Sequence, residues 1–166
     1  MKKMWSPWRT NYIDNLIHKA DTEECIFCGF SKLKEEDPKN LLIDKGEKTF
    51  TVLNLYPYNN GHLMVVPYRH TSDFADLSDE ENLEIMNKLQ LAKKALQQMA
   101  KPEGFNLGAN IGKISGAGIA NHIHFHIVPR WNGDTNFMPV LGDVKVISQD
   151  LLETKQRLLA AYKELK

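Results

Sequence analysis

Polar and apolar residues alternate along residues 122–128, which read His-Ile-His-Phe-His-Ile-Val. Successive side chains of a β-strand point to opposite faces of the sheet, so this alternation predicts a strand. The histidines would share one face and the apolar residues would pack into the core on the other: His122, His124 and His126 against Ile123, Phe125 and Ile127.

Two further apolar runs rich in β-branched residues, 49–55 and 62–66, predict a β-hairpin. The segment between them reads Tyr-Pro-Tyr-Asn-Asn-Gly, and proline, asparagine and glycine favour a turn. Residues 105–110 predict another strand. The sheet therefore draws its strands from both halves of the chain.

Helical spacing appears in two other places. Ser78 and Glu81 form a capping-box pair, and Lys101-Pro102 ends the helix that follows. Its core-facing residues are Ile85, Leu89, Ala92, Leu96 and Met99. Ser148 is predicted to cap a final helix that docks on the body of the protein through Leu151, Leu158, Tyr162 and Leu165.

This order of elements predicts an α+β fold: a meandering antiparallel sheet with one long helix and a C-terminal helix. A chain of 166 residues fits one domain with a sizeable core. We divide it into an N-terminal arm at residues 1–24, a core at 25–131 and a C-terminal extension with a helix at 132–166.

Charge and hydropathy limit the partners. Lys and Arg number 21, as do Asp and Glu, so the net charge is zero and no general attraction to nucleic acid or membrane is expected. Neither a signal peptide nor a stretch long enough to span a bilayer is found in the sequence. We expect a cytoplasmic protein that binds its ligand locally.

A row of imidazoles supports several chemistries. A histidine can attack a phosphoryl group, donate a proton to a leaving group or bind a metal. One possibility is that His122, His124 and His126 together hold a catalytic zinc ion, as three-histidine sites do.

The two cysteines, Cys25 and Cys28, form a Cys-x-x-Cys pair. A redox dithiol is one interpretation, but the charged segment 32–39 that follows does not provide the βαβ context of such a motif. A zinc site is favoured, and the candidates for its other two ligands are His70 and His122. Such a site would be structural, because four protein ligands leave no open position for water.

The histidine run resembles the signature of the histidine triad (HIT) nucleotide-binding family, His-x-His-x-His followed by two apolar residues. The resemblance includes Asn54, residues 60–67 and residues 110–112, and covers roughly residues 25–131. Residues 4–9 and 129–139 are similar to the subgroup that includes the bacterial diadenosine tetraphosphate phosphorylases. In related uridylyltransferases an equivalent Cys-x-x-Cys and two histidines surround zinc.

The resemblance implies roles for individual residues. His124 would attack the α-phosphorus of a nucleotide and form a nucleotidyl-histidine intermediate, with a backbone carbonyl holding its other nitrogen. His126 and His62 would contact the phosphoryl oxygens, and Asn54 the ribose. The resemblance also implies a homodimer in which two sheets join.

The segment 110–119 is glycine-rich, and its amides can approach a phosphate closely. Its candidate substrate-binding residues are Asn110, Ser115, Gly116 and Gly118. Ile119 stands where many family members carry Ser or Thr. Because Ile119 has no hydroxyl, the resemblance implies that backbone amides or Ser115 stabilise the leaving group, or that the substrate has a good leaving group. Trp131 either stacks on a base or packs against Trp5 or Trp8.

These implications favour an enzyme that cleaves dinucleoside polyphosphates and passes the nucleotidyl group to orthophosphate or water. Hydrolysis of nucleoside phosphoramidates or adenylylated amines is the alternative with the same chemistry. A zinc-containing nucleotide-binding module with little turnover is the alternative from another class. Zinc is the one cofactor expected, with no organic cofactor.

Overall fold

The computed structural model describes residues 25–30, 32–134, 147 and 149–166. Its helices are α1 (Ile26–Phe30), α2 (Asp79–Ala100) and α3 (Leu151–Leu165), and its strands are β1 (Leu42–Lys45), β2 (Thr49–Leu53), β3 (Leu63–Pro67), β4 (Gly104–Ala109) and β5 (Phe125–Arg130). Short 3-10 turns lie at Phe74–Asp76 and Lys113–Ser115. The Trp5 and Trp8 partners considered for Trp131 lie outside the described residues, as does most of residues 135–148.

The strands form one antiparallel sheet in the order β1-β2-β3-β5-β4. The predicted hairpin is confirmed, with Phe50 opposite Val66 and Val52 opposite Met64. The first three strands form a meander, after which α2 crosses over to β4 at the sheet edge and β5 returns between β3 and β4. The α+β class and antiparallel sheet are as predicted, while β1 and α1 were not predicted.

The sheet buries apolar residues on both faces. One face packs against α2 and α3, and its core includes Ile123, Ile127 and Leu96, with Phe125 partly buried beside them. This confirms the core-facing half of the alternation. The other face carries a smaller core around Phe27, Phe50 and Met64. The histidines therefore lie on the same face of the sheet as this second, smaller core.

The long helix α2 forms as its sequence predicts. Ser78 accepts a hydrogen bond from the backbone of Glu81, and the Glu81 side chain accepts one from the backbone of Ser78, which completes the capping box. Lys101, in the left-handed region, ends the helix. Ile85, Leu89, Ala92 and Leu96 are buried, as predicted.

The C-terminal helix α3 docks on the body of the protein through buried Leu158 and Tyr162, as predicted. Its predicted cap was wrong: Asp150 caps the helix by accepting from the backbone N–H groups of Leu152 and Glu153. Ser148, the predicted cap, lies outside the described residues and one residue before Gln149, and Asp is equally suited to a cap position. Leu165, which was predicted on the same face, is 37% exposed.

Glycine is required at one turn that positions the site. Gly61 has a φ of 79°, and a Cβ there would lie 2.8 Å from Leu96 Cδ2. A side chain would strain the backbone and collide with α2. Gly61 thus lets the hairpin turn pack against α2 and positions His62 immediately before β3.

None of the described helices combines the length and the apolar character that a bilayer span requires.

Candidate functional site

The three histidines lie side by side, but only one of them belongs to a regular strand. β5 begins at Phe125, so His122 and His124 precede it and the strand predicted from residue 122 was too long. Antiparallel pairing with β3 starts at Val65 opposite Phe125, and Pro67 marks the end of β3. The alternation nonetheless continues through both residues, and all three histidines are buried.

His124 is held in one tautomer by the backbone. Its Nδ1 lies 2.9 Å from the carbonyl oxygen of His122, and a carbonyl only accepts, so Nδ1 carries the proton. The lone pair of the ring is then on Nε2. This is the backbone-carbonyl arrangement that the resemblance implied.

His62 and His126 form a directional chain of hydrogen bonds. The Tyr58 backbone N–H donates to His62 Nδ1 over 3.0 Å, so the proton of neutral His62 lies on Nε2. His62 Nε2 then donates to His126 Nδ1 over 2.9 Å. The proton of neutral His126 is therefore on Nε2, a buried atom for which the described residues provide no partner.

Burial keeps these imidazoles neutral. Desolvation, followed by the charge of neighbouring histidines, lowers the pKa of His62 to about 3 and the pKa of His126 to about 4. Burial also lowers the pKa of His124, against a smaller opposing effect of its hydrogen bond to His122. We call His62, His124 and His126 the imidazole row. At neutral pH it offers one ring lone pair, on His124, and one ring N–H donor, on His126.

Cys25, Cys28, His70 and His122 converge on one point, and we call them the Cys/His cluster. One ligand atom from each lies within 4.8 Å of the other three. Cys25 Sγ is 3.4 Å from His122 Nδ1, and Cys28 Sγ is 3.3 Å from His70 Nδ1. The four residues predicted as metal ligands are thus brought together by the fold.

The donor set fits a tetrahedral metal. Bonds of about 2.0–2.3 Å to nitrogen and sulfur place tetrahedral ligand atoms roughly 3.3–3.8 Å apart. His122 Nε2 donates to the Pro67 carbonyl over 2.9 Å, which leaves the lone pair on Nδ1, the atom that faces the cysteines. This contradicts a zinc ion held by the three triad histidines, because among the described residues His122 alone of the triad joins such a cluster.

Phe27 connects the cluster to the imidazole row. It lies between the two cysteines on α1, and its ring centroid is 5.5 Å from that of His122 and 5.0 Å from that of His124. Only 2% of Phe27 is exposed. Cys28 lies on α1 with this ring and Cys25 directly precedes the helix, so one short segment carries both thiols and the ring that packs on His124.

The polar residues predicted to contact the nucleotide are arranged around His62 and the cleft. Asn54 accepts from the Tyr56 N–H through Oδ1, and its amide nitrogen is 3.3 Å from His62 Nδ1. Asn110 Nδ2 donates to the Tyr58 hydroxyl over 3.5 Å. Asn54 supports the imidazole row, whereas Asn110 lies on the wall of the cleft beside it.

The glycine-rich segment engages its predicted hydroxyl internally. Ser115 Oγ lies 2.8 Å from the Ile111 carbonyl and 2.7 Å from the Gly112 carbonyl, so its hydroxyl is engaged inside the loop. Gly116 has a φ of 92° and ends the 3-10 turn, and Gly118 is exposed. Ile119 packs against the core around Phe27.

Trp131 is half-buried, and its indole N–H donates to the Ala100 carbonyl at the end of α2 over 3.3 Å. Asp134 next to it binds both Nε and Nη2 of Arg130, over 2.6 and 2.8 Å. These bonds close the turn after β5. A role for Trp131 in binding a base stays a prediction.

A cleft of about 370 Å³ opens beside His126 and runs along β4 and β5 towards Arg130. Tyr58 lines it, and the Tyr58 ring packs on His62 and His126 with centroid distances of 4.5 and 5.7 Å. Sequence reasoning missed Tyr58 and Phe27. The available signal was position: Tyr58 lies inside the predicted turn 56–61, and Phe27 is adjacent to Cys28.

Comparisons with known proteins agree with this geometry. The model of the HIT domain matches residues 34–133. The chain is 42% identical over 165 residues to the AP-4-A phosphorylase of Mycobacterium tuberculosis, covering 96% of this chain and 83% of the relative. It is 32% identical over 108 residues to the adenosine 5'-monophosphoramidase hnt1 of Schizosaccharomyces pombe, covering 65% of this chain and 75% of the relative.

A solved structure of a Zn-bound histidine triad family protein from Mycobacterium smegmatis matches with a TM-score of 0.68 and 27% identity, covering 86% of this chain and 95% of that one. Fold, imidazole row and sequence match together define the class. The chain belongs to the HIT domain family. The prediction of an enzyme of this family is confirmed at that level, because the relative matched over nearly the whole chain is a named enzyme.

Proposed function

We propose that this enzyme cleaves dinucleoside polyphosphates of the diadenosine tetraphosphate class through a nucleotidyl group carried on His124. The observation that carries the proposal is the fixed tautomer of His124, whose Nδ1 is 2.9 Å from the His122 carbonyl. Nε2 is therefore the nucleophilic atom, and lowering of the pKa by burial keeps it unprotonated at neutral pH. The 42% identity to a named AP-4-A phosphorylase supports the substrate class.

In the first step the His124 Nε2 lone pair forms a bond to the α-phosphorus, and the bond from phosphorus to the leaving oxygen breaks with its electron pair on that oxygen. The ring becomes positively charged, and its Nδ1–H bond to the His122 carbonyl becomes stronger. The His126 Nε2–H is the donor for a phosphoryl oxygen on which charge accumulates. His62 and the Tyr58 amide hold that donor in its tautomer.

In the second step an acceptor oxygen attacks the nucleotidyl group and restores neutral His124. Orthophosphate as acceptor gives a nucleoside diphosphate, whereas water gives a nucleoside monophosphate. We propose orthophosphate as the principal acceptor on the strength of the phosphorylase relative.

Hydrolysis of phosphoramidates is the second candidate, favoured by the 32% identity to an adenosine 5'-monophosphoramidase. Its amine leaving group needs a proton donor. Ile119 is apolar and packs against the core around Phe27, and Ser115 is engaged within its loop. These contacts favour polyphosphates, which depart without a proton, over amines.

The test is the set of products from diadenosine tetraphosphate with and without orthophosphate. We expect ATP and ADP when orthophosphate is present. ATP with AMP in equal yield at every orthophosphate concentration would identify a hydrolase, and no product at all would favour the binding-only module. His124→Gly is the matched variant, because it removes the nucleophile and leaves the nucleotide contacts.

We further propose that the Cys/His cluster holds a structural zinc ion. Its four ligand atoms lie within 4.8 Å of one another, and a relative with the same fold is Zn-bound. Bound zinc would tie α1 to the strand end that carries His122. Metal analysis of a Cys25→Ser/Cys28→Ser variant should find no zinc, against about one equivalent in His124→Gly; zinc retained by the double variant would rule out this ligand set.

A homodimer joined along β4 is also proposed. Among the described strands β4 is one of the two at the sheet edges, and Leu107 in it is 57% exposed. An unpaired edge with an exposed apolar residue favours pairing with a second copy. Light scattering should give the mass of two chains, and Leu107→Asp should shift it towards one. A single-chain mass for the unaltered protein would contradict the dimer.

The division of the chain into segments and the cellular location are also proposals. Residues 25–131 would be the catalytic core of one domain, with residues 1–24 as an arm and 132–166 as an extension. A cytoplasmic location suits the chemistry, because a reducing compartment keeps Cys25 and Cys28 as thiols. Cell fractionation with an antibody against the chain tests the location.

A further inference from the structure

The reaction needs a donor for the oxygen that leaves the α-phosphorus, since negative charge develops there. We propose that Tyr58 is a further catalytic residue: its hydroxyl donates a hydrogen bond to the leaving oxygen in the first step and to the attacking acceptor in the second. This inference rests on the proposed function. Tyr58 would thereby influence both which leaving groups are released and which acceptor is used.

The position of Tyr58 supports this assignment. Its ring packs on both His62 and His126, and it lines the cleft that opens beside His126. The ring is 49% exposed, so a ligand in the cleft can reach it. Its backbone N–H, by contrast, is committed to His62 Nδ1, which fixes the residue against the imidazole row.

Among the described residues that line this cleft, Tyr58 alone carries a hydroxyl. Four other polar side chains of the wall are engaged in hydrogen bonds: Asn59 donates to the Pro129 carbonyl and to Asp134, and Asn106 accepts from Arg130. Ser115, the hydroxyl that the sequence suggested, donates within its own loop and does not line the cleft.

The Tyr58 hydroxyl is also oriented to donate. Asn110 Nδ2 approaches the Tyr58 oxygen at 3.5 Å as a donor, so that oxygen accepts from Asn110 and the phenolic proton points to another partner. Within the described residues no acceptor for that proton is recorded. The hydroxyl thus has a proton that is available to a ligand in the cleft.

The two steps share this donor because their geometry is the same. The leaving oxygen departs from the side of phosphorus opposite His124, and the acceptor oxygen attacks from that same side. In each step the electron pair moves between phosphorus and an oxygen at one location, while Tyr58 keeps its proton and only donates a hydrogen bond. No further reactant is required.

The experiment compares the unaltered full chain with Tyr58→Phe, which keeps the ring and the backbone N–H. Tyr56→Phe is the matched control, because Tyr56 lies in the same turn and does not line the cleft. The substrates are aryl esters of adenosine 5'-monophosphate with phenols of increasing basicity. Phenol release in a single turnover measures the first step alone.

We expect Tyr58→Phe to slow release of the most basic phenols by about 10- to 100-fold, the loss expected for a hydrogen bond to a charged group, and to change the most acidic phenols little. The ratio of ADP to AMP formed with orthophosphate present should also fall. Tyr56→Phe should match the unaltered chain in both measurements.

The inference is overturned if Tyr58→Phe slows all esters equally or none, with an unchanged ratio of ADP to AMP. In that case cleavage by the unaltered chain and its loss in His124→Gly would leave the proposed function standing. If His124→Gly releases phenol as fast as the unaltered chain, the proposed function itself fails, and the role of Tyr58 fails with it.

Discussion

The Cys/His cluster and the imidazole row use the same residue type in opposite ways. In the cluster, ring and thiol ligand atoms converge to within 4.8 Å and can share one ion. In the row, hydrogen bonds such as the 2.9 Å bond between His62 and His126 fix the tautomers, so that one ring lone pair and one ring N–H are available to a ligand. An alternating run of histidines thus contributes both to a metal site and to a catalytic site, and the segment that packs against each histidine determines its role. α1 approaches His122, and the hairpin turn approaches His126.

Removing the nucleophile should separate the two regions most strongly. His124→Gly should lower turnover of diadenosine tetraphosphate by roughly 10⁴-fold or more, as loss of a nucleophile does in other covalent enzymes. Nucleotide affinity and metal content should remain, because the Cys/His cluster does not include His124. Calorimetric titration and metal analysis of the variant check both. Loss of metal together with turnover would show that the regions are not separate.

Replacing Phe27 should affect the Cys/His cluster and the imidazole row together. Phe27→Ala removes a buried ring that packs on His122 and His124, and should cost about 3–5 kcal/mol of unfolding free energy. Because the ring contacts both regions, zinc affinity and turnover should fall together. Denaturant unfolding, a zinc chelator competition and turnover assays measure the three effects.

Phe30→Ala is the control for Phe27→Ala. Phe30 lies on the same helix but stacks on Phe50, with centroids 6.1 Å apart. It should destabilise the protein without a matching loss of turnover in the folded fraction. Equal losses of turnover in the two variants would mean that Phe27 acts only through stability.

The imidazole row should make stability depend on pH. Burial lowers the pKa of His62 to about 3 and of His126 to about 4, below the usual value of 6.5, so the unfolded chain binds more protons as pH falls through this range. The stabilisation is complete above pH 6.5 and is lost progressively below it. At pH 5 the loss should be roughly 2 kcal/mol for each histidine.

Urea unfolding between pH 8 and pH 5 measures this dependence. In a His62→Gln/His126→Gln variant the slope should be smaller, whereas any contribution from protonation of the metal ligands remains in both proteins. Identical slopes would show that the row does not titrate as described.

The smallest effect is expected where the chain departs from the family pattern. Ile119→Ser should change cleavage of phosphoramidates by less than about threefold, because the side chain at this position packs against the core around Phe27 and does not line the cleft. Amine release assays check it. A large gain would place residue 119 within reach of the leaving group.

Local patterns predicted what depends on local physics. The capping box at Ser78, the hairpin and the alternation of core and histidine faces all follow from spacing along the chain. The Cys/His cluster was predicted because four ligand types occur at positions that match a known arrangement. Long strands and capped helices carry this information in a few neighbouring residues.

Contacts between distant segments could not be predicted in the same way. The Phe27 ring reaches His124, and the Tyr58 amide selects the tautomer of His62 and hence of His126, through packing that no spacing reveals. β1 lies next to a charged segment that hides its short apolar pattern, and β5 begins at Phe125 because pairing with β3 starts only there. The engagement of Ser115 within its loop is likewise a tertiary detail.

The most direct test of the account is to trap the intermediate on His124. The protein is mixed with diadenosine tetraphosphate in the absence of orthophosphate, denatured in base to preserve phosphorus–nitrogen bonds, digested and analysed by mass spectrometry. The account predicts one adenylyl group on the ring of His124 and none in His124→Gly. An adduct on another residue, or none while the substrate is being consumed, would contradict the role of His124 as the nucleophile.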